Sequence, residues 1–571
     1  MSETCDVLVI GSGAAGLSTA VVAAFLGLKV IVAEKSHWIG GTSAWSGGWL
    51  WIPRNPLAIE AGIDEPPEAP LRYLRSEIGS SANDSRVHTF LEHGPAMVRF
   101  FRDHTEVDWI DGNRMPDFHE TPGSSSGGRS VCAKPYDGRH LGTWIRRLRP
   151  PLDLISLWGM GIAAGADMRH FFNATRSLTS MAYVTARLTR HLAEQARYGR
   201  GMKLVNGNAL IARLMRSALD LGVDLRTNAP AHRLLQGDNR VTGAIIGSGK
   251  ISATRGVVLA AGGFPHDVTR IATVMAHAPT GIEHRSAAPP ENTGDGLRLA
   301  ETVGGYIVDN LVSPGAWAPV SIVPRKDESS GHFPHLIERA KPGILAVGPD
   351  GRRFVNEANS YHDFISALLQ TYPGHKTPHA WIVADHRAQR RYGLGWSKPF
   401  PFPTGPAVAS GYLKRALSLD ALARACDLPP EALCRTVTHF NVAATRGEDP
   451  DFGRGASMYN RVQGDPEHSP NPALAPLLRA PFYAVRVEPG SLGTFAGVRT
   501  DAMARVVTTE DLPIPGLFAV GNDMASLMGG YYPSGGITLG PAMTFGYIAG
   551  QVLAEKAIGN IPKAKHQHLN R

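Results

Sequence analysis

Residues 529–550 read GGYYPSGGITLGPAMTFGYIAG, with two adjacent phenols, Tyr531 and Tyr532, between two Gly-Gly pairs where a long apolar helix should begin. A phenol O–H beside the free N–H groups of a helix N-terminus is equipped to meet negative charge developing on an oxygen. Of the pair, Tyr531 reads as the packing residue. Ser534, two residues after Tyr532, could relay a proton or cap the helix. At the other end of the chain Gly11, Gly13 and Gly16 form GxGxxG. In such a turn the first glycine permits a sharp bend, the second lets backbone approach a pyrophosphate, and the third lets helix and strand pack closely. The anion then meets the helix N–H groups around Ala14 and Ala15. Glu34, 18 residues after Gly16 and followed by Lys35, stands where an acid accepts hydrogen bonds from a ribose.

These residues need elements to position them. Residues 5–35 read as strand, glycine turn, helix and strand, with Val7–Ile10 an unbroken apolar run suited to a parallel strand covered on both faces. That ordered context makes the dinucleotide reading specific, while leaving FAD and NAD both open. IGSGK at 246–250 is followed by more strand, so it reads as a hairpin turn and not as a second nucleotide site. A separate nicotinamide domain is therefore not expected, and electrons would leave to a quinone, a carrier protein, oxygen or another substrate.

With 571 residues, 43% apolar and 19% charged, the chain can bury large cores and should form two or more lobes. Its net charge of +8 is spread without long basic runs, which favours an ordinary surface and no nucleic-acid partner. Cys5, Cys132, Cys426 and Cys434 lack disulfide or zinc spacing, so no metal is expected and the usage fits a reducing cytoplasm. A strand begins almost at once, leaving no room for a signal peptide. WIRRLRPPLDLISLWGMG, 144–161, could graze a membrane surface.

Several segments resemble the fumarate reductase and succinate dehydrogenase flavoprotein superfamily. They include EKSHWIGGTSAWSGGWLWIP at 34–53, GVVLAAGGF at 256–264 and IPGLFAVGND at 514–523. The resemblance implies FAD. It places Gly41, Thr42, Ser43, Gly47 and Gly48 along the flavin, with Ala261 and Gly262 passing it. Gly521, Asn522 and Asp523 would lie at the ribityl chain, and Gly536, Ile537 and Leu539 at the flavin carbonyl end. Ser43 stands where respiratory members carry a tethering histidine, implying non-covalent FAD. Gly493, in GTFAG, replaces the histidine a fumarate reductase needs.

Within the superfamily the chain resembles the 3-ketosteroid delta-1-dehydrogenase branch, through GGTSAWSGGWLWIPRNP, GGRSV, GRRFVNEANSY, FYAVRVEPGSLGTFAGVRTD and YYPSGGITLGPAMTFGYIA. That resemblance implies a discontinuous Rossmann-like α/β FAD domain over 1–282 and 479–571, carrying an insertion at about 105–200 that turns helical from 167. An α+β catalytic or cap domain would fill 283–478. It also implies desaturation of a cyclic ketone, with Tyr361 taking the alpha proton and Tyr532 with Gly536 holding the ketone oxygen. A 3-ketosteroid is the first expected substrate. A small ring ketone such as cyclohexanone, or a reductase of the fumarate type, is the alternative. A supporting tyrosine of the branch is missing before GGRS, where Phe118 and His119 stand; His119 could take over its role, and Trp109 could narrow the pocket. His362, His332 and His335 read as packing or surface residues.

Overall fold

A computed structural model of the chain describes residues 2–163, 165–374 and 377–556. The first sheet is built on Ser2–Ile10, in which Val7 through Ile10 are almost wholly buried. Val30–Ala33 and Gly249–Leu259 flank this strand in parallel, and Asp224–Arg226 and Pro513–Ala519 extend the sheet on either side, again in parallel. A parallel sheet covered on both faces is what the unbroken apolar run demands. Arg240–Ile246 runs antiparallel to Gly249–Leu259 through the turn at Gly247, which is the hairpin expected for IGSGK. Helix Ala14–Phe25 packs directly on Leu539–Leu553, with Gly546 against the Ala15 carbonyl and Gly550 against Val22. The first and last helices thus share one core, which is why the domain is discontinuous in sequence.

The second sheet carries Gly315–Pro324, Ser330–Pro334, Ile344–Val347, Ala380–Ala384 and the 13-residue strand Phe482–Thr494. Four strands hydrogen-bond to that last one, making it the spine of the second sheet. The expected boundary after 478 therefore falls too early. Backbone pairing holds the chain in the second sheet through Thr494, and it rejoins the first only with Arg505–Val507 and Pro513–Ala519. The end of the expected last segment, 557–571, lies outside the described residues. Over 105–200, strand precedes helix: Ser130–Ala133 pairs antiparallel with Trp49–Trp51 on one side and with Trp109–Asp111 on the other, and helices Ala166–Asn173 and Leu178–Tyr198 follow. Among the described residues no helix is long and apolar enough to cross a membrane.

The GRRFVNEANSY segment is a buried ionic scaffold. Arg353 donates to Glu357 and to Asp449 at 2.8 Å each, and Glu357 also accepts from Arg454 at 3.1 Å and from the Ala346 N–H at 3.1 Å. The Asn356 amide donates to Asn460, whose own amide donates to Asn359. Ser360 then caps helix Tyr361–Thr371 by accepting from the Asp363 N–H, so Tyr361 is the first residue of that helix. The two guanidinium groups hold the Glu357 carboxyl at about 2, against a burial effect that would raise it. A depressed carboxyl stabilises the fold at pH above its unfolded value of about 4.5, and that contribution is lost as pH falls toward 2. Glu357→Gln should cost about 3–5 kcal/mol at neutral pH, because it leaves buried arginines short of a counter-charge. In thermal unfolding followed against pH, the gap between wild type and variant should narrow steadily below about pH 4.5.

Candidate active site

A cavity of about 1860 Å³ runs from the glycine turn after Ser2–Ile10 to the aromatic residues where the two sheets meet. The three glycines of the turn divide by what a side chain would strike. A Cβ on Gly11, at φ +108°, would lie 2.2 Å from the Ala260 carbonyl oxygen, and one on Gly16 would lie 2.2 Å from that of Gly11. On Gly13 it would meet only the Ser43 hydroxyl, at 3.5 Å. The first and third glycines serve the fold, whereas the second leaves room for a ligand. Nearby, the Ala14 N–H donates to Ser43 Oγ at 3.1 Å, while the N–H groups of Gly13, Ala15 and Gly16 find no acceptor among the described residues. Glu34 accepts from the Ser12 N–H and hydroxyl and from the Ser36 N–H, which fixes its carboxylate beside the turn. Lys35 is drawn to Asp295 at 2.5 Å and to the Thr293 hydroxyl.

Gly41, Thr42, Ser43, Gly47, Gly48, Ala261, Gly262, Gly521, Asn522, Gly536 and Leu539 all line this cavity. Asn292, which sequence gave no reason to single out, donates to Thr42 and to the Gly262 carbonyl. Asp523 and Ile537 are placed differently from expectation. The Asp523 carboxylate is fully buried behind the wall, accepting from the Ala261 N–H at 2.6 Å and the Gly263 N–H at 2.9 Å. Burial raises its carboxyl to about 6 despite those donors, and it shapes the turn without facing the cavity. Ile537 is buried in the core cluster.

At the far end Tyr361, Tyr459 and Tyr532 line the cavity together with Phe118. Tyr361 and Tyr532 cross edge to face at 5.2 Å. Phe118 stacks on Tyr532 at 5.7 Å and tilts against Tyr459 at 4.6 Å. Gly536, at φ +100°, has its back to the strand Trp49–Trp51, where a Cβ would lie 2.6 Å from the Trp51 nitrogen. Its N–H, on the cavity wall, donates to no acceptor among the described residues. Burial, then the neighbouring Tyr532 phenol, push Tyr361 well above its ordinary value of 10. Burial likewise raises Tyr459. The buried guanidinium of Arg339 acts in the opposite sense on both phenols. Among the described residues Arg339 donates only to carbonyls, those of His335, Leu336, Glu357 and Asn359, and no carboxylate there bonds its charge.

The other residues singled out from sequence are scaffolding. The helix starts at Leu539, later than the double glycine suggests, so Ser534 does not cap it. Ser534 turns instead to Asp117, which also accepts from the Trp51 indole at 2.8 Å and from Arg129 at 2.6 Å. His119 bridges Glu77 at 2.5 Å and Asp363 at 2.9 Å, and those two carboxylates raise it to about 10 against the opposing effect of burial. It is therefore locked away from the cavity, and the phenol missing at Phe118 has its spatial neighbour in Tyr459. Trp109 is a core residue that donates to the Val98 carbonyl. His362, lowered to about 4 by burial, packs its ring 5.6 Å from Tyr532 and accepts from the Trp317 N–H. His332 and His335 are tied to Ser286 and Ser321. Tyr531 is half-buried against the main core.

The FAD binding domain family matches residues 6–539. The chain belongs to this family of FAD-binding proteins. Within it the flavoprotein is similar to the 4-oxocyclohex-2-ene-1-carboxylate 5-dehydrogenase of Sinomonas cyclohexanicum, 40% identical over 97% of this chain and 94% of the relative. It is 35% identical to the 3-oxosteroid 1-dehydrogenase of Mycobacterium tuberculosis strain H37Rv, over 97% and 98% of the two chains. The crystal structure of 3-ketosteroid delta1-dehydrogenase from Sterolibacterium denitrificans with 1,4-androstadiene-3,17-dione superposes with a TM-score of 0.88, at 33% identity over 97% of this chain and all of that one. The donor set of the flavoprotein fits FAD: unsatisfied N–H groups and an open Cβ position at Gly13 suit a pyrophosphate, and Glu34 suits a ribose. Gly13→Ala should leave thermal unfolding of the FAD-free protein within about 1 kcal/mol of wild type, since among the described residues the methyl meets only the Ser43 hydroxyl, at an ordinary contact distance. The same change should weaken FAD binding at least about tenfold in a fluorescence titration, whereas Gly16→Ala should destabilise the protein itself.

Proposed function

We propose that the flavoprotein is an FAD-dependent oxidoreductase that desaturates a cyclic ketone between its alpha and beta carbons. The observation that carries the reading is the convergence of Tyr361, Tyr532 and the free Gly536 N–H on one buried end of the cavity. A ketone oxygen seated between the Tyr532 hydroxyl and the Gly536 N–H would meet two donors where enolate charge develops, in a site with little water to compete. Tyr361 takes the alpha hydrogen as a proton. FAD, when bound, supplies the acceptor for the beta hydrogen, which leaves with its electron pair, and an external quinone or carrier removes the electrons afterwards.

Tyr361 must work against its own environment, because burial favours the neutral phenol. Arg339 and the first turn of helix Tyr361–Thr371 provide the opposing positive potential, and Tyr459 stands beside the pair to share the proton. The flavin is taken to be held without a covalent bond, as Ser43 occupies the tethering position. Dicarboxylate reduction is disfavoured at Gly493, where any side chain would begin 2.3 Å from the Asn522 amide nitrogen.

Tyr361→Phe and Tyr532→Phe should each retain FAD and slow anaerobic bleaching of the flavin by a ring ketone at least about a hundredfold. Tyr459→Phe should slow it less. Because the base acts deprotonated and lies above its ordinary value, wild-type bleaching should accelerate with pH across the neutral and alkaline range, with no plateau below about pH 10. Stopped-flow absorbance measures all four. Normal rates in either of the first two variants would remove that tyrosine from the mechanism.

A further inference from the structure

Residues 118 to 120 touch every phenol-bearing segment of the site. The Phe118 N–H donates at 3.1 Å to the carbonyl of Pro533, the residue after Tyr532, and the Tyr73 hydroxyl donates to the same carbonyl at 2.6 Å. His119 reaches Asp363, two residues beyond Tyr361, at 2.9 Å. Glu120 accepts at 2.6 Å from the N–H of Met458, the residue before Tyr459. The Phe118 ring itself lies against all three tyrosine rings. One tripeptide of the first lobe thus holds the starts of both second-lobe helices that carry phenols.

Within the tripeptide, His119 makes a demand on charge. Its Nδ1 is bonded to Glu77 at 2.5 Å and its Nε2 to Asp363 at 2.9 Å. A neutral imidazole carries a single N–H and can donate to one carboxylate, so bridging two calls for the imidazolium. Glu77 belongs to helix Ala69–Ile78, the helix whose Tyr73 holds Pro533, and its other oxygen accepts from the Thr121 hydroxyl. Asp363 is the third residue of helix Tyr361–Thr371, with its own N–H tied to Ser360. From Tyr532 to Tyr361 the path runs through the Pro533 carbonyl, the Phe118 N–H, the His119 ring and Asp363. No stretch of backbone along it exceeds two residues, which leaves few soft torsions between base and oxyanion donor.

His119 does not line the cavity, so whatever it does for a reaction there it does through the groups it holds. We propose that protonated His119 is a positioning residue for the desaturation, setting the Tyr361 base against the Tyr532 and Gly536 donors by clamping the first turn of its helix to the opposite lobe. The inference rests on the ketone-desaturase reading and goes beyond it by giving a residue outside the cavity a part in the chemical step. The titratable and charged groups around the bridge are Glu77 and Tyr73 on one helix, Asp363 and His362 on the other, and the Arg339 guanidinium. Burial works to lower His119, yet the hydrogen bonds to Asp363 and Glu77 raise it to about 10 from 6.5. The stabilisation it brings is therefore complete below about pH 6.5 and is lost as pH rises toward 10.

The test compares His119→Gln with the wild type as FAD-loaded proteins, in anaerobic stopped-flow bleaching by cyclohexanone, 4-oxocyclohexanecarboxylate and a 3-ketosteroid. The variant should keep its flavin, and its half-saturating ketone concentration should stay within about twofold, while the limiting rate falls at least about tenfold, within the range that a misplacement of about 1 Å costs. In a Tyr361→Phe background the same change should slow bleaching less than about twofold, because the group being positioned is already gone. In thermal unfolding, the gap between wild type and His119→Gln should be widest below about pH 6.5 and narrow toward pH 10. A normal limiting rate in His119→Gln, an equal loss with and without the Tyr361 hydroxyl, or a thermal gap that stays constant over that range overturns the assignment. Should His119→Gln not fold, Asp363→Asn, which keeps the backbone bond to Ser360, is read by the same criteria. Absence of bleaching of the wild type by all three ketones would instead defeat the desaturase reading, and the thermal gap would still decide whether the bridge is charged.

Discussion

Arg129 and Asp117 form a buried ion pair on which the geometry of the ketone end depends. Arg129 donates to Asp117 at 2.6 Å, to Glu65 at 2.7 Å and to the Gly123 carbonyl at 2.6 Å, with its guanidinium over the rings of Tyr73 and Trp51. Asp117 in turn gathers the Trp51 indole, the Ser125 N–H and the Ser534 hydroxyl. Three segments distant in sequence are thereby fixed to one carboxylate. Each abuts a functional group: Trp51 backs Gly536, Phe118 follows Asp117, and Ser534 lies between Tyr532 and Gly536. A charge pair this deep is weak evidence for stability, since its desolvation offsets much of its attraction. Its directional demands are what matter here, because few arrangements satisfy every lone pair and donor at once.

The same dryness sets the central tension of the site. Excluding water strengthens donors aimed at a developing enolate, yet it also holds Tyr361 in its neutral form. A cation such as Arg339, satisfied only by carbonyls, resolves the conflict without adding a competing acid. Its charge is not cancelled by a bonded carboxylate, and its five donors are spent on backbone, so it cannot swing into the cavity. The electrostatic bias is therefore permanent, and the proposed proton transfer would require no reorganisation of it.

Features encoded by local spacing were legible before any fold was known. GxGxxG lies in the expected strand-to-helix turn because its requirements are met within a few residues and one neighbouring strand. The apolar run at Val7–Ile10 likewise reports its own burial. What escaped reading depends on partners far along the chain. Nothing around Tyr459 marks it, since its place beside Phe118 follows from Asn460 being clasped by Asn356 and Asn359, about a hundred residues away. Ser534 has the residue type of a helix cap and the wrong neighbour, because Asp117 claims its hydroxyl. The boundary after 478 failed for a similar reason: strand membership is decided by pairing, and four strands from the second lobe reach Phe482–Thr494.

These placements divide the working groups between the two sheets. Tyr361, Tyr459 and Arg339 are held by the second lobe through the Arg353–Glu357–Arg454 scaffold, while Tyr532, Gly536 and the FAD cradle are held by the first through Asp117 and the packed helices Ala14–Phe25 and Leu539–Leu553. The edge-to-face contact between the Tyr361 and Tyr532 rings therefore crosses from one lobe to the other. His119, joined to Glu77 on one side and to Asp363 in the first turn of the Tyr361 helix on the other, ties the same junction from outside the cavity. On the proposed mechanism, base and oxyanion donors are productive only when both ties are made, which makes the alignment of the lobes a catalytic variable. Substitutions far from the cavity that loosen either tie should act on the chemical step before they act on cofactor retention, because the glycine turn suited to the pyrophosphate belongs to the first sheet alone.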